Sequence, residues 1–176
     1  MRFVKKITSK KYNLTARGDN TIEVILMQLT QKETELLKDL KSQEKLCAEK
    51  YMQYSESAKD PQLKNLFSQI GGIEQQHLKT IEQLEGGTVP TQGGGAPPQP
   101  SFTANYAVAE TEDKKHDCYL CTDALTTEKH ASHLYDTCIF EFKQENVRTL
   151  LNGIQKEEQN HGKMIYDYMT ANSMYA

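Results

Sequence analysis

Tryptophan is absent from the 176 residues and aromatic residues amount to only 8%. Hydrophobic residues make up 37% and charged residues 26%, a balance that is polar for a compact globule yet too apolar for wholesale disorder. Long hydrophobic runs are missing as well. No stretch approaches the roughly eighteen consecutive apolar residues of a membrane span, which excludes an integral membrane protein. The basic N-terminal segment has no secretory apolar core either, since its best candidate, Ile22 to Leu29, is broken by Glu23 and Gln28. Cytoplasmic synthesis without export is therefore expected. An excess of one charge is also missing. The 21 Lys and Arg against 24 Asp and Glu leave a formal net charge of −3, which argues against a nucleic-acid partner. The four cysteines, Cys47, Cys118, Cys121 and Cys138, are too few and too clustered for a secreted disulfide scaffold and fit a reducing compartment.

Proline is scarce and unevenly placed. Four of the five prolines and five of the ten glycines fall between Gly86 and Ser101, a composition that makes a linker. On its N-terminal side, Thr30 and Glu33 have the spacing of a capping box, and apolar residues at Leu36, Leu37, Leu40, Cys47, Ala48, Tyr51 and Ala58 continue at helical period. Asp60 caps a second helix with Pro61 in its first position, which runs through Leu63, Phe67, Ile70, Leu78, Ile81 and Leu84. After the linker, helices are expected from about Thr111 to Phe142 and from about Gln144 to Met169.

A shift of 84 residues superimposes the two halves without a gap. Asp39, Glu44, Lys45, Tyr51, Lys59, Leu66, Ile70, Glu74, Gln75, His77, Lys79 and Ile81 recur as Asp123, Glu128, Lys129, Tyr135, Lys143, Leu150, Ile154, Glu158, Gln159, His161, Lys163 and Ile165. The expected organisation is a basic extension over 1–29, a helical hairpin over 30–85, a Gly/Pro-rich crossover over 86–110 and a second hairpin over 111–176. Together they give an all-α, ferritin-like four-helix bundle. Swapping of hairpins between two chains, giving a homodimer, is an alternative that the repeat leaves open.

The repeated positions that carry chemistry are two Glu-x-x-His motifs, Glu74 to His77 and Glu158 to His161, each with a Glu thirty residues upstream, Glu44 and Glu128. Residues three apart share a helix face. The midpoint of each thirty-residue interval falls at the hairpin turn, at Lys59 or Lys143, so each upstream Glu stands level with its motif. Glu44, Glu74, His77, Glu128, Glu158 and His161 are thus expected to meet inside the bundle as ligands of two Fe or Mn ions, a ligand pattern found in carboxylate-bridged di-metal sites. One Glu-x-x-His alone would more often be a solvated pair, and the six together could also be a duplicate that has kept its residues without the metal. Tyr51 and Tyr135, two turns beyond the upstream Glu residues, are read first as core tyrosines with satisfied hydroxyls and second as hydrogen-bond partners of the site or redox-active phenols. Cys118 and Cys121 form a C-x-x-C near His116, but no second pair completes a zinc site; Cys47, Cys121 and Cys138 lie on the core-facing stripes, and buried thiols are the simpler reading beside a redox pair or an intermolecular cross-link. His130 and His133 have no counterparts in the first half and are expected at the surface.

The segment Asp117 to Ala176, through Asp123 to His130, Leu134 to Thr137, Glu157 to Lys163, Tyr168-Met169 and Met174-Tyr175, resembles the coat F domain of the spore coat protein F family. Thr30 to Glu85 is loosely similar to a rubrerythrin hairpin in Tyr51, Lys59-Asp60-Pro61, Phe67 and Glu74 to His77. The resemblance implies a ferritin-like bundle made in the mother cell, deposited on the spore coat or surface, and meeting other spore coat proteins. It does not imply an enzyme. A structural and protective coat protein, a rubrerythrin-like oxidoreductase acting on peroxide, oxygen or ferrous iron, and an interaction module without catalysis are the three functions to separate. No rubredoxin module lies within the 176 residues, so an electron donor for the second would come from elsewhere.

Overall fold

The structure is a computed structural model that describes residues 28–90, 99–107 and 109–175. Most of the basic extension and the centre of the Gly/Pro-rich segment lie outside the described residues. Among the described residues there are four helices and no strand: α1 (Gln31–Ser57), α2 (Pro61–Glu85), α3 (Glu112–Glu141) and α4 (Glu145–Ala171). This all-helical architecture is compatible with a four-helix bundle.

Local chemistry sets the helix ends. The Thr30 hydroxyl accepts from the Glu33 amide while the Glu33 carboxylate accepts from the Thr30 amide at 2.7 Å, so the capping box forms. Asp60 accepts from the Gln62 amide at 2.9 Å with Pro61 in the first turn. Thr111 caps α3 through the Lys114 amide. Gln144 precedes α4 without a side-chain cap, and the Arg148 guanidinium instead donates to the Phe142 and Lys143 carbonyls. Beyond α2 the chain turns at Gly87, whose φ of 82° favours a residue without a Cβ.

α1 packs mainly against α2 and α3 mainly against α4, with smaller α1–α3 and α2–α4 faces. Two apolar clusters fill the interior. One joins Tyr51, Leu63, Phe67, Leu120, Ile165 and Tyr168. The other joins Leu37, Leu40, Ile81, Leu84, Tyr135 and Leu151. The sequence positions of these residues place Glu44, Glu74, His77, Glu128, Glu158 and His161 between the two clusters on all four helices. The end of α2 belongs to one cluster and the start of α3 to the other, so α2 ends and α3 begins at opposite ends of the molecule.

Each hairpin turn is held by an acid from the other hairpin. Asp117, fully buried at the start of α3, accepts from the Lys59 amide at 2.8 Å, the Asp60 amide at 2.9 Å and the Tyr106 hydroxyl at 2.7 Å. Glu33, at the start of α1, accepts from the Lys143 amide at 3.2 Å. Both acids and both lysines are 84 positions apart. Asp117→Ala would strand two backbone donors and a hydroxyl, and a loss of about 2–3 kcal/mol is expected, read as a lower urea midpoint at unchanged slope. Glu141→Ala, which breaks an exposed ion pair with Lys32, should move the midpoint by no more than about 0.5 kcal/mol. Equal effects of the two substitutions would refute the assignment of Asp117 as the anchor of the turn.

Candidate metal centre

The six residues singled out by spacing converge. Glu44, Glu74 and Glu158 have no exposure, and His161, His77 and Glu128 have at most 3%. Each helix supplies its share because positions three apart face the same way. α1 gives Glu44, α2 gives Glu74 and His77, α3 gives Glu128, and α4 gives Glu158 and His161.

The ligand atoms form two overlapping sets. Glu44, Glu74, His77 and Glu158 offer one set of atoms within 4.8 Å of one another, and Glu74, Glu128, Glu158 and His161 offer a second. Glu74 and Glu158 belong to both. His77 Nδ1 lies 3.0 Å from Glu158, 3.3 Å from Glu74 and 3.7 Å from Glu44. His161 Nδ1 lies 2.8 Å from Glu74, 3.6 Å from Glu128 and 4.0 Å from Glu158. The two rings stack with centroids 5.9 Å apart.

Several of these close approaches are not hydrogen bonds. His161 Nδ1 and Glu74 Oε1, although 2.8 Å apart, are both without a hydrogen-bond partner, as are Glu44 Oε2, Glu128 Oε2 and both oxygens of Glu158. Buried polar groups normally find partners, so six such atoms facing one space are the mark of a cavity shaped for something other than the chain. Hard carboxylate oxygens with one imidazole per set suit Fe or Mn better than a thiolate-seeking ion. The donor chemistry therefore fits a pair of divalent cations.

Burial and the neighbouring charges act in opposite directions on most of these groups. Burial pushes the Glu44 carboxyl up, opposed by contacts with His77 and reinforced by the neighbouring Glu74 charge. The Glu158 carboxyl is raised in the same way by burial and by Glu74. Burial also acts upward on Glu74, but its contacts with His161 and His77 outweigh it and bring that carboxyl below the usual range. For His77, burial works against the charged ring and is overcome by the carboxylates, with Glu157 foremost, so its pKa rises well above the ordinary value. His161 is raised to about 10 against burial by Glu128 and Glu74.

Both repeat tyrosines reach the cluster, each crossing to the other hairpin. The Tyr135 hydroxyl donates to Glu44 at 2.5 Å and the Tyr51 hydroxyl donates to Glu128. They are buried tyrosines with satisfied hydroxyls and partners of the acids at once. Spacing did not reveal Glu157. Its carboxylate accepts from His77 Nε2 at 2.6 Å, across the α2–α4 face, and that bond, ahead of the opposing effect of burial, holds Glu157 below the usual carboxylate range. Its counterpart in the first half is Ile73, so the repeat carried no signal for it.

The other sequence candidates belong to neither ligand set. All four cysteines are free; Cys47, Cys121 and Cys138 are buried, and Cys47 Sγ takes a contact from Gln43 Nε2 at 3.2 Å. His116 meets Ser57 at 3.0 Å rather than the C-x-x-C thiols. His130 and His133 are exposed.

A cleft of about 550 Å³ between α3 and α4 reaches Glu128 and Glu158 from a rim that includes Lys129, Lys163 and Tyr166. A larger depression of about 730 Å³, lined by Val89, Pro90 and the start of α4, is remote from the six residues and has no ligating cluster. No helix among the described residues is long and apolar enough to cross a membrane.

Residues 116–176 match the family model of the Coat F domain. No curated protein and no solved structure matches the chain. The match supports a relationship of the α3–α4 half to the spore coat protein F family.

Proposed function

We propose that this is a ferritin-like protein of the spore coat, or associated with it, whose core holds two Fe or Mn ions between the carboxylates of Glu44, Glu74, Glu128 and Glu158 and the imidazoles of His77 and His161. The observation that carries the metal reading is the pair of ligand sets sharing Glu74 and Glu158, whose buried oxygens lack partners of their own. The coat assignment rests on the Coat F match over residues 116–176. In that setting the protein is structural and protective and meets other coat proteins after synthesis in the mother cell.

The cleft favours a second reading, a rubrerythrin-like oxidoreductase acting on peroxide, oxygen or ferrous iron, because Glu128 and Glu158 form part of its wall and it therefore lies beside the buried ligands. When bound, the ions would supply redox chemistry. The chain's own contribution is then to hold the ligands and keep bulk water away. Tyr51 and Tyr135 fix the orientation of Glu128 and Glu44, while the apolar clusters on either side close the ends of the site.

Elemental analysis of the full chain as purified, and after incubation with Fe(II) or Mn(II), tests the metal centre. About two ions per chain are expected, and Glu74→Gln with Glu158→Gln together should abolish uptake while leaving the helical circular dichroism in place. A folded wild-type chain that takes up neither ion would sink the metal centre.

Fractionation tests the location. The chain should co-extract with coat material of mature spores and be depleted from the spore core, and recovery solely in the core fraction would refute the coat assignment. If the oxidoreductase reading holds, the loaded chain supplied with a reductant consumes peroxide, and the double variant does so at least about 100-fold more slowly.

A further inference from the structure

The two halves offer nearly the same ligands, but the structure does not treat them alike. His77 is held at both nitrogens. Its Nδ1 faces Glu158, Glu74 and Glu44, and its Nε2 is fixed by Glu157 at 2.6 Å. A ring whose Nε2–H donates to a carboxylate presents the Nδ1 lone pair to the ligand space in a fixed direction and with increased basicity. Among the described residues His161 has no such partner. Its carboxylate contacts all run through Nδ1, and the position corresponding to Glu157 is Ile73, which cannot accept a hydrogen bond.

The second difference concerns access. The cleft between α3 and α4 is lined by Glu128 and Glu158, and neither Glu44 nor His77 takes part. Gly162, next to His161, lines it too. A Cβ there would meet nothing closer than Glu128 Cβ at 3.8 Å and Leu125 Cδ2 at 3.9 Å, so the opening runs alongside the ligands of the second set. Neither Glu44 nor His77 lines this cleft or the depression at the start of α4.

Building on the di-metal reading above, we infer that the two cation positions are inequivalent. The position at His77, locked by Glu157, fills first and holds its ion more tightly, whereas the position at His161 fills second and is where small exogenous ligands such as anions arrive through the cleft. Glu157 is a positioning residue acting through His77. Its side chain is 31% exposed, so replacing it does not open a hole in the core.

Titration of the full apo chain with Co(II), followed by visible absorption, tests the inference. The wild type should bind in two steps that differ by at least about tenfold in affinity. Glu157→Ala should weaken the first step about 10- to 100-fold and leave the second unmoved, so that the steps merge. Glu157→Gln, which keeps a hydrogen-bond acceptor, should fall between the two. Azide, as the anion probe, should shift the spectrum of the chain carrying two equivalents and not that of the chain carrying one. Two equivalents of equal affinity, a Glu157→Ala effect that is nil or equal on both steps, or an azide response at one equivalent would each overturn the inference while leaving the di-metal reading intact. Absence of Co(II), Fe(II) and Mn(II) uptake would overturn both.

Discussion

Four carboxylates and two imidazoles share one level between two apolar clusters, and the constraint of making that level electrically neutral governs the rest of the structure. Isolated buried anions cost several kcal/mol each. Within the chain, burial and the neighbouring charges shift the balance toward protonation. The His77 and His161 rings are driven toward the charged form, and Glu44 and Glu158 toward the neutral one. Two ring protons and two carboxyl protons supply the same positive charge as two divalent cations. The two arrangements are equal in charge, and oxygens of all four acids and one imidazole nitrogen have no hydrogen-bond partner within the chain. The proposed pair of cations would give these atoms partners, while the charge alone would be satisfied by either.

The same level ties the halves of the chain together. Tyr51 belongs to the first hairpin and bonds Glu128 of the second, and Tyr135 of the second bonds Glu44 of the first. At the ends of the molecule, Asp117 holds the turn at Lys59 and Asp60, and Glu33 reaches the turn at Lys143. Each hairpin therefore completes polar groups that the other would leave buried and unpaired. Apolar packing alone would tolerate sliding of one pair of helices against the other, whereas these directional bonds fix the register. Register matters here because a slip of one turn, about 5.4 Å, would separate Glu44 and Glu128 from the motifs they face.

Much of this was legible in the sequence because it depends on local periodicity. The capping box at Thr30, the Asp60-Pro61 start and the 3.6-residue apolar stripes place the helices, and the thirty-residue interval places Glu44 level with Glu74 without any three-dimensional information. The partners that repetition does not encode were not legible. Glu157 sits one residue from Glu158 and so points about 100° away from it around the helix. Only the approach of α4 to α2 brings it to His77. Asp117 and Glu33 occupy equivalent positions, but one is Asp and the other Glu, and identity matching passes over such a pair. The C-x-x-C drew attention by its spacing, yet the fold gives Cys121 to an apolar cluster and turns His116 toward Ser57. The extension over 1–27 offered no periodicity to read, and it lies outside the described residues.

Departures from the repeat concentrate around the site. Where the first half has Ile73 the second has Glu157, and where the first has Cys47 the second has Ala131. The first set of ligands gains a buried thiol beside Glu44 and a carboxylate behind His77, and the second set keeps a small residue and an open cleft. A strictly symmetric bundle would give two identical cation positions with identical exposure. In this chain the shared carboxylates Glu74 and Glu158 join a set backed by Glu157 at His77 to a set beside the α3–α4 cleft, so the two sets differ in their surroundings although their ligands repeat.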